Sequence, residues 1–166
     1  NRGRAASDWA YMPRACFIDL ADTRQWIEEA LEAPDQLPFA IVETVKGKVV
    51  GSTRFLNIRP EHRCLEIGWT WLGQEWQRTG INTRVKLLLL AHAFERLGCV
   101  RVEFKTDARN ERSQQALERI GASREGSLRK HMIVQGDYSR DSVYFSVIDE
   151  EWPKVKKRLQ KLAERS

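Results

Sequence analysis

One stretch, residues 65–106, leaves this chain the least freedom. Leu65, Ile67, Trp69 and Trp71 alternate with Glu66, Gly68 and Thr70, the period of a half-buried strand over residues 65–72. A loop follows, then a helix over residues 83–97 carrying Val85, Leu87, Leu88, Leu89, Leu90, Ala91, Ala93, Phe94 and Leu97. That helix is apolar almost all round, so burial on several sides is expected. Gly98 is placed to stop it. Residues 100–106, Val100-Arg101-Val102-Glu103-Phe104-Lys105-Thr106, then alternate cleanly as a second strand. Strands separated by so long a connection pair in parallel, through a right-handed crossover. The loop residues Gln77-Arg78-Thr79-Gly80-Ile81-Asn82 feed the N-terminus of the crossover helix. Unpaired backbone N–H groups and the positive end of the helix dipole make such a junction an anion site.

The rest of the chain is organised around that unit. Residues 22–31 read as a helix capped by Asp22 or Thr23, with Trp26, Ile27, Ala30 and Leu31 as its apolar stripe. Residues 39–45 and 49–58 read as strands joined at Lys46-Gly47-Lys48. Asn110 is a good cap for a helix whose buried face is Ala116, Leu117 and Ile120 and which Gly121 ends. Residues 128–134 and 138–148 read as a closing hairpin turned at Gln135-Gly136-Asp137. A polar terminal helix over 151–163 carries Pro153 in its first turn. The expected architecture is a mixed α/β (α+β) sheet, antiparallel at its edges and parallel at its centre, with helices on both faces. No linker, repeat or low-complexity tract interrupts it, so residues 1–166 are expected to form one domain.

Composition narrows the class. Hydrophobic residues at 42% and charged residues at 31% of 166 describe an ordinary globular chain able to bury a core. No segment approaches the length of a membrane span, and no signal peptide is visible. Cys16, Cys64 and Cys99 are odd in number and lack CxxC spacing, which speaks against a disulfide framework or zinc site and for a reducing cytoplasm. His62, His92 and His131 are scattered without ligand spacing, so no metal is expected. The net charge of +5 suits a polyanionic ligand and suits nucleic acid or ribosomes equally well. Residues 1–7 are polar and are expected to fray. The chain begins at Asn1 rather than Met; either an N-terminal strand or helix is missing from it or the sheet begins with a different edge.

At the loop, the sequence resembles the GNAT superfamily of acetyl-CoA-dependent N-acetyltransferases. The family pattern Gln/Arg-x-x-Gly-x-Gly/Ala maps onto Gln77, Gly80 and Asn82, with Asn82 departing from the small residue expected. A second motif runs Thr106-Asp107-Ala108-Arg109-Asn110-Glu111-Arg112-Ser113, followed by Leu117-Glu118-Arg119-Ile120-Gly121-Ala122. It is similar to the RimJ/RimL-like branch, which includes acetyltransferases of ribosomal-protein N-termini. Two motifs in order on strand-to-helix junctions are a specific signal. The resemblance implies the GNAT acyl-CoA N-acyltransferase fold. It further implies acetyl transfer from acetyl-CoA to a primary amine, a peptide N-terminus or small molecule, by direct attack through a tetrahedral intermediate.

Such chemistry holds the cofactor, needs a neutral amine, stabilises an oxyanion and protonates a leaving thiolate. Holding the diphosphate would fall to the backbone of Gln77, Arg78, Thr79, Gly80, Ile81, Asn82 and Thr83, with charge from Arg78 and Arg84. The resemblance places the pantetheine arm beside the strand, its amides pairing with backbone at Trp69, Thr70, Trp71 and Leu72. Asn110 is a helix cap and, by resemblance, a bond donor to the pantetheine arm. Ser113 is by resemblance the candidate general acid; otherwise it is a first-turn helix residue. Glu66, on the strand face opposite Leu65, Ile67, Trp69 and Trp71, is the candidate base acting through water; its alternative role is an ion-pair partner. A non-catalytic acyl-CoA-binding sensor stays open as a second reading. A basic RNA- or ribosome-binding module is a weaker third, since no base-reading motif is visible. Relatives that dimerise leave a homodimer open, and no membrane partner is expected.

Overall fold

The computed structural model describes residues 9–165; the expected fraying over residues 1–7 lies outside them. Helix α1 spans Leu20–Glu32 and begins two residues earlier than the sequence suggests, because Asp19 is the cap and accepts from the Asp22 N–H. Asp22 instead pairs with Arg14 at 2.7 Å. Strands β1 (Leu37–Glu43) and β2 (Lys48–Arg59) form the first hairpin, and β3 is Cys64–Leu72. Helix α2 (Ile81–Glu95) crosses to β4 (Arg101–Asp107). Helix α3 (Glu111–Ile120), β5 (Ser123–Val134), β6 (Tyr138–Ile148) and α4 (Trp152–Glu164) complete the chain. The strands lie in the order β1-β2-β3-β4-β6-β5. β3 and β4 are parallel, as the crossover requires, and every other neighbouring pair is antiparallel.

The sheet has two unlike faces. Phe55, Leu65, Ile67, Val102, Phe104, Val143, Phe145 and Val147 meet Leu89, Leu90 and Ala93 of α2, Leu117 and Ile120 of α3, and Trp152, Val155 and Leu159 of α4 in the main core. On the other face Trp9, Phe17 and Trp26 of α1 make a separate aromatic cluster. Arg54, next to Phe55 on β2, lies 3.9 Å from the Trp26 ring, which sets α1 on the side opposite α2. Burial on α2 is narrower than its composition suggests: Leu88 is 69% exposed, while Lys86 is buried. On α1 likewise Trp26 and Ala30 are buried but Ile27 and Leu31 are not.

The expected alternation along β3 breaks at one residue. Trp69 and Trp71 pack with Trp9, Phe17 and Trp26, not with Leu65 and Ile67. Arg54 pairs with Gly68 but Ser52 pairs with Trp71, so one extra residue is accommodated between them. Trp69 takes up the bulge with φ of 50°. A bulge shifts the side-chain phase by one. The indoles therefore join Glu66 on the α1 side, which corrects the expectation that Glu66 faces away from them. Gly51 makes room for this path: a Cβ there would sit 2.2 Å from the Trp71 carbonyl oxygen.

Candidate active site

Parallel pairing of β3 with β4 runs only from Cys64–Arg101 to Glu66–Glu103. Beyond it the strands part, and a cleft of about 490 Å³ opens between them, bounded by the N-termini of α2 and α3. Its walls include Glu66, Trp69, Thr70, Trp71, Leu72, Gln77, Arg78, Gly80, Asn82, Thr83, Asn110 and Ser113, so most of the sequence-identified residues converge here. Thr79 and Ile81 do not line it. The Thr79 hydroxyl donates to the Trp76 carbonyl at 2.7 Å, and Ile81 packs on the cluster of Ile41, Val50 and Leu72.

The α2 entrance has the geometry of an anion cradle. Arg78 and Gly80 have φ of 63° and 75°, which turns the chain so that Gly80 caps the helix. No acidic side chain stands in the first turn, so the dipole there is uncompensated. Gln77, on the cleft wall, donates its amide to the Leu72 carbonyl at 2.9 Å and ties the loop to β3. Arg84 bonds the Ala163 carbonyl in α4. Arg119, from the second motif, stands at the same entrance, donating to the Thr83 hydroxyl at 3.0 Å. Asn82 Oδ1 and Trp71 Nε1 are buried without a hydrogen-bond partner. Such orphans are costly unless a ligand completes them.

At the α3 entrance, Asn110 caps the helix as expected, accepting from the Ser113 N–H at 3.0 Å. Ser113 is half-buried on the cleft wall. Glu66 is only 2% exposed; its carboxylate accepts from Asn57 Nδ2 at 2.8 Å and lies 3.4 Å from Lys105. Its ion-pair role is thus realised, through a lysine. Asp107 and Arg109 form a close pair at 2.8 Å. Burial pushes the Asp107 carboxyl up, but the Arg109 hydrogen bonds outweigh this and hold it below the ordinary value. The Arg109 guanidinium in turn stacks on Tyr138 at 3.7 Å.

Sequence reasoning passed over Lys86. It lies on the same stripe of α2 as Leu89, Leu90 and Ala93, three, four and seven residues on, which was a readable signal of burial. Its ammonium reaches the cleft wall, donating to the Thr70 hydroxyl at 2.9 Å beside the Phe104 ring. Burial pushes its pKa down to about 7. Arg140, 3% exposed, was also missed and lines the cleft.

Among the described residues no group of three or more His, Cys, Asp or Glu is placed to hold a metal ion. Nor is any helix there long and apolar enough to cross a membrane. The cleft brings together the N-terminus of α2, the strands β3 and β4 past the end of their pairing, and titratable side chains.

Comparison with known proteins gives this arrangement a family. The acetyltransferase (GNAT) domain family matches residues 4–123. The chain is 35% identical to the protein named "Putative ribosomal N-acetyltransferase YdaF" of Bacillus subtilis over 106 residues, 64% of this chain and 57% of that one. It is 24% identical to spermidine N(1)-acetyltransferase of Escherichia coli over 138 residues, 83% of this chain and 71% of that one. The crystal structure of a GCN5-related N-acetyltransferase from Brucella melitensis superposes with a TM-score of 0.88 at 32% identity, covering 95% of this chain and 71% of its own. The match thus spans little more than half the length of YdaF. On the family match and the shared fold, the chain belongs to the GNAT acetyltransferase family.

Proposed function

We propose that the chain is one domain that transfers the acetyl group of acetyl-CoA to a primary amine by direct attack, through a tetrahedral intermediate. The observation that carries this reading is the parting of β3 from β4 directly beside the α2 cradle. Acetyl-CoA supplies an activated acyl group on a thiol leaving group; the chain supplies the rest. Backbone N–H groups at residues 80–83, with Arg78 and Arg119 nearby, take the diphosphate. The free edge of β3 at Trp69, Thr70, Trp71 and Leu72 pairs with the amides of the pantetheine arm, and a backbone N–H there faces the oxyanion. Asn82 Oδ1 and Trp71 Nε1 gain the partners they lack. Asn110 fixes the start of α3 and bonds the arm, and Ser113 returns a proton to the thiolate. Glu66, held by Asn57 and Lys105, takes the amine proton through water. The reaction is assigned to the cytoplasm, with no metal.

The test is thiol release from acetyl-CoA against a panel of amines and peptide N-termini. Acceptor-dependent release is expected. Tight binding of acetyl-CoA with no release from any acceptor would replace this reading by a non-catalytic acyl-CoA sensor. Salt-sensitive RNA binding without affinity for coenzyme A would replace it by a ribosome- or RNA-binding module.

A further inference from the structure

The cleft reaches both faces of the sheet. Phe104, Thr70 and Lys86 stand on the α2 side, with the anion cradle. On β6, Val143, Phe145 and Val147 face the main core, so Arg140, Ser142 and Tyr144 face the other way. They share that face with Lys105 and Glu66, whose carboxylate lies 3.4 Å from the lysine. The mouth on this side is rimmed by Tyr11, Met12, Leu56 and Met132. Gln135 in the β5–β6 turn pins the rim, donating to the Trp9 and Met12 carbonyls at 2.8 and 3.1 Å.

Among the described residues three cations at this mouth, Lys105, Arg109 and Arg140, face two carboxylates, Glu66 and Asp107, both of which also act on Arg140 at longer range. Glu66 is answered by Lys105, and Asp107 by Arg109. Arg140 is 97% withdrawn from solvent. Its Nε donates to the Ser142 hydroxyl at 3.1 Å, and among the described residues its two terminal nitrogens bond nothing and no carboxylate pairs with it. Ser142 is itself held by His131 at 3.1 Å, so the guanidinium is fixed rather than adaptable. Burial, then Lys105 and Arg140, hold the His131 imidazole below its ordinary pKa. The planar fork of a guanidinium whose terminal nitrogens open onto the cleft fits a carboxylate in two parallel hydrogen bonds.

We propose that Arg140 is the anchor of the acceptor site and that the amine acetylated by this chain carries a carboxylate, which the guanidinium, unpaired among the described residues, grips while the amine faces Glu66. This rests on the acetyl-transfer reading above. The carboxylate comes either from the α-carboxyl of a free amino acid or from an Asp or Glu side chain at a peptide N-terminus. A polycation such as spermidine is a poor match for this mouth.

The test is thiol release from acetyl-CoA with paired acceptors: amino acids against their amides, and C-terminally amidated peptides beginning with Asp or Glu against Asn or Gln, with spermidine alongside. At least one acid should exceed its neutral partner in kcat/KM by on the order of 10²-fold, and which pair shows it identifies the source of the carboxylate. Arg140→Gln should bring that ratio to about 1, through KM more than kcat, and leave coenzyme A affinity by calorimetry unchanged; Arg140→Lys should restore part of the preference. The acid-to-amide comparison in the unaltered protein stands even where a variant fails to fold. If neutral amines or spermidine turn over as well as the acids, the proposal falls and acetyl transfer stands. If no amine in the panel releases thiol, both fall.

Discussion

Replacing Lys86 with Met removes a cation from the interior and leaves the shape of the side chain nearly unchanged. In the native protein Lys86 gives up its proton at about pH 7, against 10.5 when unburied. At 1.36 kcal/mol per pKa unit, protonating it inside the fold costs about 5 kcal/mol more than protonating it in the unfolded chain. Between those two values the unfolded chain holds more protons, so stability rises with pH from about 7 to 10.5 and carries the whole penalty below 7. The Met variant escapes that penalty. It forfeits the bond to the Thr70 hydroxyl, about 1 kcal/mol, and the Phe104 contact, also about 1 kcal/mol. Thr70 keeps its hydroxyl partner Thr53 at 2.8 Å, so no polar group is stranded. Urea unfolding should therefore find Lys86→Met more stable than the parent by about 3 kcal/mol at pH 6, with the advantage gone by about pH 10. Taking the difference between the two proteins at each pH cancels the titrations they share. A difference that does not vary with pH, or a variant already weaker at pH 6, would refute the argument that burial governs this lysine.

Glu66→Gln and Ser113→Ala should each lower kcat by about 10²-fold while coenzyme A affinity stays within about 3-fold. Undiminished turnover in both would discard the assignment of base and acid. Gly51→Ala drives a methyl group into the Trp71 carbonyl 2.2 Å away and should cost about 3 kcal/mol, a fall in Tm of roughly 10 °C by calorimetry. A Tm unmoved by this change would mean that the bulge at Trp69 needs no such close approach.

Local chemistry wrote some elements plainly. The β6 strand, the turn before it, and α3 between Asn110 and Gly121 follow directly from alternation, turn residues and caps. The crossover and the parallel pair followed from connection length alone. What local pattern does not carry is contact between distant segments. The phase slip at Trp69 depends on Gly51, 18 positions earlier by the sequence numbering, admitting the Trp71 carbonyl. Asp19 wins the cap of α1 from Asp22 because Arg14 already engages Asp22. Arg140 reads as one more charge on a strand until Lys105 and Arg109 are seen to stand closest to the two nearby carboxylates. The turn at Gly80 into α2 was legible, but not the bonds that Gln77 makes to Leu72 and Arg84 to Ala163.

The brief junction of β3 with β4 has a mechanical meaning. The sheet is two antiparallel triplets, β1-β2-β3 and β4-β6-β5, sewn together by a few rungs at one end and bridged by α2 across the back. Each triplet is internally cross-braced, so flexing concentrates along the seam. A guest lying in the gap as an extra strand adds rungs to both sides at once and stiffens the very joint that admitted it. Amides of residues 67–71 that point into the gap should then exchange with solvent more slowly once it is filled, which ties the cohesion of the whole sheet to occupancy.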